Sequence, residues 1–335
     1  PSNVTRRSIP AMVLGLSPSR IKGKVSGWAL RLDPRHVGVA ERLNAAGYDT
    51  AAFFFGRSFG DPAQHSGLDR GIDHIEFERD GAKLARQARD WMEDRAARTT
   101  DRPAFVWIHF LEPHSWAGKA NKIYPADPEK RWRMYDTTLR NVDSFLETVV
   151  SAYADRPPDQ HPILIVTSDH GEGLGEHGHA HHASDLYSSQ THVPLVVTGP
   201  GIATRRVRET VSLTSLAPTL LELAGFEPPG MPAMDGVSLA PLLTGARAEI
   251  PDGGEAYLVM VKDRSVARTQ RALVLGKWKI ITDADGTLAS AELYDVRADR
   301  DELNNLATRE SAVLTRMHEA LLERMRTIDT VPGVR

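Results

Sequence analysis

Carboxylates and imidazoles crowd one stretch of this chain. Thr167-Ser168-Asp169-His170-Gly171-Glu172 leads at once to Gly175-Glu176-His177-Gly178-His179-Ala180-His181-His182. The apolar run Ile163-Leu164-Ile165-Val166 stands directly before it. That run is too short and too β-branched for a helix and reads as a buried strand. A strand ending in Asp169-His170 delivers a carboxylate and an imidazole side by side. In open α/β sheets, ligands bind just beyond the carboxyl ends of strands. Asp plus His is a good first shell for a divalent metal and leaves positions open for a substrate. The bland alternative is a helix cap beside a surface histidine, with His177, His179 and His181 in a solvated loop.

The elements that must carry these residues are legible from periodicity. Helical spacing covers residues 39–46 and stops at Gly47, a C-cap position. Strands are predicted over 50–55, 104–110, 163–167 and 193–198. Longer amphipathic segments at 82–98, 131–153 and 212–224 predict helices between and after them. Strands alternating with helices argue for an α/β/α sandwich with a mostly parallel mixed sheet. Residues 227–234 are rich in Pro and Gly and read as a connection. Beyond them the character changes. Short alternating runs at 256–261, 272–275, 278–282 and 292–296, then a helix over 310–327, predict a small C-terminal antiparallel β subdomain with a helix. The boundary is expected near 246–252, giving domains 1–248 and 249–335.

Bulk composition narrows the function. The 335 residues carry 41 Lys and Arg against 44 Asp and Glu, a net charge of −3, so there is no nucleic-acid footprint. The absence of Cys excludes disulfides and thiolate metal sites. No apolar run approaches the ~18 residues of a membrane span. The chain begins Pro1-Ser2-Asn3 without Met and reads as an excised or processed polypeptide, with any signal or anchor upstream.

The motifs together resemble the sulfatase family of the alkaline phosphatase-like superfamily. Asp169-His170-Gly171-Glu172 with Gly175-Glu176-His177-Gly178 looks like that family's metal-binding segment. Leu186-Tyr187 to Val193-Pro194-Leu195 looks like the family segment next in order. Phe105-Val106-Trp107-Ile108-His109-Phe110 through Pro113-His114 looks like the strand bearing an active-site His. Ala217-Pro218-Thr219-Leu220, Asp235-Gly236-Val237-Ser238-Leu239, Leu293-Tyr294-Asp295 and Glu302-Leu303-Asn304-Asn305-Leu306 match later segments in order. Sulfatases carry Cys or Ser in a C/S-x-P-x-R motif and oxidise it to formylglycine. Leu16-Ser17-Pro18-Ser19-Arg20 mimics that motif with Leu in the nucleophile slot, but its downstream spacing is off by one. The better register places Thr5 there. Thr5-Arg6-Arg7-Ser8-Ile9-Pro10-Ala11-Met12 also resembles the Thr-x-x-Ser-Val-Pro segment of phosphoethanolamine transferases, whose Thr is nucleophile and metal ligand. Threonine cannot become formylglycine, so none is expected. The family's first strand supplies further acidic ligands upstream of the nucleophile. Only four residues precede Thr5, so that strand is expected to be missing from this chain.

The resemblance implies an ester hydrolase with Thr5, His114 and His182 as catalytic residues. Asp169, His170 and Thr5 would hold one divalent ion. Family habit suggests calcium, while ligand softness leans towards manganese or zinc. Metal coordination would activate the Thr5 hydroxyl, and one imidazole would serve as general acid. Arg6, Arg7, His179 and His181 are candidate contacts to the substrate anion. The expected substrate is a small-molecule, glycan or lipid sulfate or phosphate ester, selected by loops at 56–69 and 115–124. A phosphotransferase acting through Thr5 is the rival reading, and a non-catalytic binding relative is a third. His109 reads as a core or metal-supporting residue, His192 as structural, and Trp107 and Trp132 as core aromatics. The family habit also suggests an exported or periplasm-facing protein. Oligomeric state is not legible.

Overall fold

The computed structural model describes residues 1–26, 29–56, 66–98, 102–116, 125–226, 233–250, 253–263 and 266–329. Most of both expected specificity loops, at 57–65 and 117–124, and part of the 246–252 boundary lie outside the described residues. In chain order the elements begin α1 (Thr5–Leu14), β1 (Gly23–Ser26), β2 (Ala29–Leu32), α2 (Val39–Ala45), β3 (Asp49–Phe55), β4 (His74–Glu78), α3 (Gly81–Ala97), β5 (Ala104–His109) and α4 (Pro128–Val150). They continue β6 (Leu164–Thr167), α5 (Ser188–Thr191), β7 (Leu195–Thr198), α6 (Leu216–Leu223), α7 (Ala240–Leu243), β8 (Glu255–Met260), β9 (Gln270–Leu275), β10 (Trp278–Asp283), β11 (Glu292–Asp295) and α8 (Ser311–Arg324). They fall into two compact units, Val25–Ile163 and the pair of segments Pro1–Lys24 with Leu164–Arg335.

In the unit Val25–Ile163, strands β4, β3 and β5 pair in that order, all parallel. β3 is apolar on both faces, as a covered central strand must be. Phe53 packs with Leu84, Ala85 and Ala88 of α3 and with Val149 of α4. Phe54 points the other way, edge-on to Trp107 with ring centroids 5.0 Å apart. Asp80 starts α3 by accepting the Lys83 N–H. Trp107 is the packed aromatic its pattern predicts. Trp132 is not: it lies 56% exposed on the solvent side of α4.

In the other unit, β6 is a strand as expected, but it pairs antiparallel with β7 and is only half buried. Among the described strands, parallel pairing is confined to β4, β3 and β5. The second sheet has the order β11-β10-β9-β8, antiparallel throughout. Its period-2 alternation separates two cores. Tyr257, Val259, Leu273, Ile280 and Leu293 face Met317 and Leu321 of α8. Leu258, Met260, Ala272, Ile281 and Tyr294 face Val4 and Leu186. Each fully buried Leu or Ile contributes roughly 1.5–3 kcal/mol, and a one-residue slip would exchange the two faces. The segment before α1 therefore packs on the antiparallel sheet, and Val259 N–H donates to the Pro1 carbonyl at 2.9 Å.

One charge is buried in this sheet. Lys279 of β10 is 1% exposed and pairs with Glu302 at 2.7 Å. Removing one member of a buried pair strands the other charge without water. Lys279→Met alone should therefore lower stability by about 3–5 kcal/mol in urea unfolding. A loss under about 1 kcal/mol would mean that Glu302 reaches water or another cation.

Candidate active site

Helix α1 starts at Thr5 because Val4 is extended (φ −142°, ψ 135°) while its carbonyl accepts from Arg7 N–H and Ser8 N–H at 3.0 and 2.9 Å. It ends at Gly15, whose φ of 68° is the left-handed conformation that favours glycine at a helix end. Thr5 and Ser8 lie three residues apart and share a helix face. Thr5 Oγ1 sits 3.1 Å from His170 Nε2. Ser8 Oγ donates to the Asp169 backbone carbonyl at 2.5 Å.

His170 is oriented from behind. Its Nδ1 lies 2.8 Å from the Gly171 carbonyl, which can only accept. The proton of the neutral ring therefore sits on Nδ1, and the Nε2 lone pair faces the Thr5 hydroxyl. Nε2 is also 3.5 Å from Asp169 Oδ2, with both side chains nearly buried. A hydroxyl oxygen, an imidazole nitrogen and a carboxylate oxygen thus converge. That donor set suits one divalent cation. Gly171 is required by close approach: a Cβ there would meet Ser189 O at 2.2 Å.

Glu172 belongs to the same motif, but its role emerges only from the fold. It accepts from His181 Nδ1 at 2.6 Å and from His182 Nδ1 at 2.9 Å, one oxygen each. The His182 ring lies against His170, centroids 4.3 Å apart. Burial pushes Glu172 up, but the two imidazole hydrogen bonds outweigh it and hold the carboxyl at about 2. Burial dominates at His182, lowering it to about 4 despite Glu172. His182 is therefore neutral near pH 7, with Nδ1–H donated to Glu172.

The remaining candidates make contacts of their own. Arg6 forms a two-point ion pair with Asp263, Nε to Oδ2 at 3.0 Å and Nη2 to Oδ1. Nothing in the sequence, where the two lie 257 positions apart, announces Asp263. Arg7 is half-buried, and its Nε has no hydrogen-bond partner among the described residues. Burial lowers the Arg7 guanidinium against the pull of Asp263. His181 is 29% exposed and His179 45%, the latter 3.9 Å from Asp185. His177 stacks on Tyr187 at 3.6 Å and donates through Nε2 to the Asp301 carbonyl. His114 is an exposed residue of a 3-10 turn, Glu112–Ser115, after β5 in the other unit, and His109 ends β5 there. His192 lies just after α5, and burial lowers its pKa. Arg20 of the mimic motif is bound to Asp235, which also accepts Ser17 N–H at 2.7 Å.

The His182–Glu172 pair gives a pH signature in metal-free protein. The unfolded chain takes up the His182 proton first, so stability should decline as pH falls from 6.5 towards about 4. Glu172 adds a second loss between pH 4.5 and about 2, as its native-state charge is titrated away. Histidine ¹⁵N resonances monitored against pH should show His182 neutral at pH 6. A midpoint at or above 6.5 would contradict the buried clamp.

Comparison with known proteins gives the family. The Sulfatase family model matches residues 1–226, and the model for the N-sulphoglucosamine sulphohydrolase C-terminal region matches 175–328. Arylsulfatase K of Gallus gallus is 35% identical over 178 residues, 52% of this chain and 33% of that protein. Arylsulfatase K of Mus musculus is 32% identical over 232 residues, 65% of this chain and 41% of that protein. The chain thus spans about a third to two-fifths of the length of these curated relatives. A 2-O GAG sulfatase shares the fold with a TM-score of 0.75 at 19% identity, over 98% of this chain and 83% of that one. The phosphonate monoester hydrolase of Agrobacterium radiobacter does so at 0.70 and 18%, over 97% and 86%. With its sheets, its Asp-His pair and the family match over residues 1–226, this chain belongs to the sulfatase family.

Proposed function

We propose that this chain carries the ester-transfer centre of a metal-dependent sulfate ester hydrolase in which Thr5 is the nucleophile. The observation that supports this most is the 3.1 Å approach of Thr5 Oγ1 to His170 Nε2, beside Asp169. Asp169, His170 and Thr5 would hold one divalent ion, calcium, manganese or zinc. When bound, such an ion lowers the pKa of a coordinated hydroxyl and polarises an ester oxygen. The chain's own groups do the rest. Thr5 occupies the first turn of α1, where unsatisfied N–H groups and the helix dipole favour negative charge by about 0.3–1 kcal/mol. With its one available lone pair on the ion, His170 Nε2 would hold the metal beside Thr5, and the hydroxyl proton would pass to solvent. Thr5 Oγ1 then bonds to the sulfur as the bond to the leaving oxygen breaks, and the leaving oxygen takes a proton from water. His182 Nε2, neutral at working pH, is suited to take the proton of the water that later cleaves the threonyl ester. Arg7 supplies positive charge to the anion, whereas Arg6 is engaged with Asp263.

The local charge count favours a singly charged ester. Asp169 and Glu172 contribute two negative charges and Arg7 one positive charge, while Arg6 and Asp263 cancel. A divalent cation brings the sum to about +1, which suits a sulfate ester or a phosphodiester better than a phosphate monoester dianion. Phosphodiester transfer through Thr5 is the second reading, supported by the threonine itself, because it needs no oxidised nucleophile. The exported location implied by the resemblance belongs to this proposal, as does the division at 248.

Turnover of an aryl sulfate, an aryl phosphate and an aryl phosphodiester with each metal separates the readings. Aryl sulfate cleavage without phosphodiester cleavage is expected. Asp169→Ala should abolish metal binding in calorimetry and any activity, and His192→Ala should do neither. Thr5→Ala should keep the fold and lose turnover by at least the ~10²-fold typical of a lost catalytic group. Full metal occupancy in Asp169→Ala would refute the assignment.

A further inference from the structure

We infer that Glu302 is a positioning residue for His170, so that the antiparallel sheet orients the partner of the nucleophile. The inference rests on the proposed Thr5–His170–Asp169 centre. Lys279 of β10 is fully buried, and its Nζ lies 2.7 Å from Glu302 Oε1. The other oxygen, Glu302 Oε2, accepts the Ser188 backbone N–H at 2.5 Å. Lys279 Nζ adds longer contacts to Ser188 Oγ and Thr191 Oγ1, at 3.4 and 3.5 Å. The buried pair thus grips the short helix α5 at both ends.

Helix α5 in turn holds His170. The Gln190 carbonyl accepts Gly171 N–H at 2.9 Å, and Ser189 O abuts Gly171 so closely that no side chain fits. The Gly171 carbonyl is the acceptor that fixes the His170 Nδ1 proton. A continuous path of hydrogen bonds and one close backbone contact therefore runs from Glu302 to the Nε2 lone pair facing Thr5. Backbone conformation points the same way. The non-glycine residues with positive φ among those described are His177 (53°), Ala183 (69°) and Glu302 (54°). Two lie in the histidine loop and the third in its clamp. His177 Nε2 also reaches the Asp301 carbonyl at 2.8 Å, so adjacent residues hold the loop at two points. Residues held in sparsely populated conformations cluster where structure serves function.

A purely stabilising role predicts different behaviour, which two double variants separate. Lys279→Met with Glu302→Gln keeps an amide oxygen for Ser188 N–H. Lys279→Met with Glu302→Leu removes it. Both delete the buried charges together, which is often neutral for folding. Ser188→Pro is a third variant. It removes the N–H but leaves the ion pair, at a first helical position where proline is tolerated. Histidine-labelled, metal-free protein at pH 7.5 is read by two-bond ¹H–¹⁵N spectra, which report each ring tautomer. Wild type and the Gln variant should show His170 as the single Nδ1–H tautomer. The Leu variant and Ser188→Pro should show a mixture, with His161 in the other unit unchanged. An unchanged His170 in either of the last two, folded by circular dichroism, overturns the inference. Manganese and zinc titrations are read separately. Where wild type binds, the Leu variant should lose about 10–100-fold in affinity. No binding by wild type would instead fail the metal-centre reading, while the tautomer spectra still decide the role of Glu302.

Discussion

Two hydrogen bonds from one turn of helix α1 set the register on which the site depends. Thr5 reaches the His170 ring and Ser8 reaches the Asp169 carbonyl. The donors are three residues apart, and the acceptors are consecutive residues just beyond the end of β6. A helix that slid or rotated by one residue would lose both contacts together, because positions i and i+3 face one way only in one register. This is the physical content of the Thr-x-x-Ser spacing. It makes the position of the Thr5 hydroxyl a property of backbone packing rather than of one flexible side chain. The helix itself is pinned at its far end, where the Gly15 carbonyl accepts Asp235 N–H and Gly236 N–H and Asp235 binds Arg20.

Desolvation then keeps His182 neutral against the pull of Glu172. Glu172 is shared by two rings, of which His182 is the more buried and has His170 beside it. Asp169 thus lies beside His170 and Glu172 behind His181 and His182, with His182 neutral. Two carboxylates so placed favour a cation over a bare anion.

The sequence exposes the parts whose signal is local. The Asp-His pair at a strand end, the alternation in β8 to β11 and the amphipathic spacing of α3 and α8 depend on neighbouring residues alone. Helix α1 is harder to read, because Pro10 interrupts its interior and its first turn has no side-chain cap. Strand β4 gives little apolar signal, since His74, Glu76 and Glu78 make one face polar. Asp263 and Lys279 are hidden for a different reason. Their partners lie far away in sequence, and neither residue type is distinctive until the fold brings an opposite charge to it. Half-burial of β6 is also beyond periodicity, which reports apolar residues but not how many faces are covered.

Threonine at position 5 carries its own constraint. Its β-branch restricts χ1, so the hydroxyl loses less freedom when it is aimed than a serine hydroxyl would. That rigidity is useful only if the backbone already points the right way, which the Thr5 and Ser8 contacts ensure. A hydroxyl near the N-terminus of a helix, facing a lone pair fixed by a carbonyl, needs little rearrangement as charge develops. Preorganisation of this kind would offer the proposed Thr5 nucleophile a route to activation without oxidation. The same rigidity explains why the supporting contacts extend to the antiparallel sheet: an imidazole that turned by a few tens of degrees would leave the threonine without the lone pair it faces.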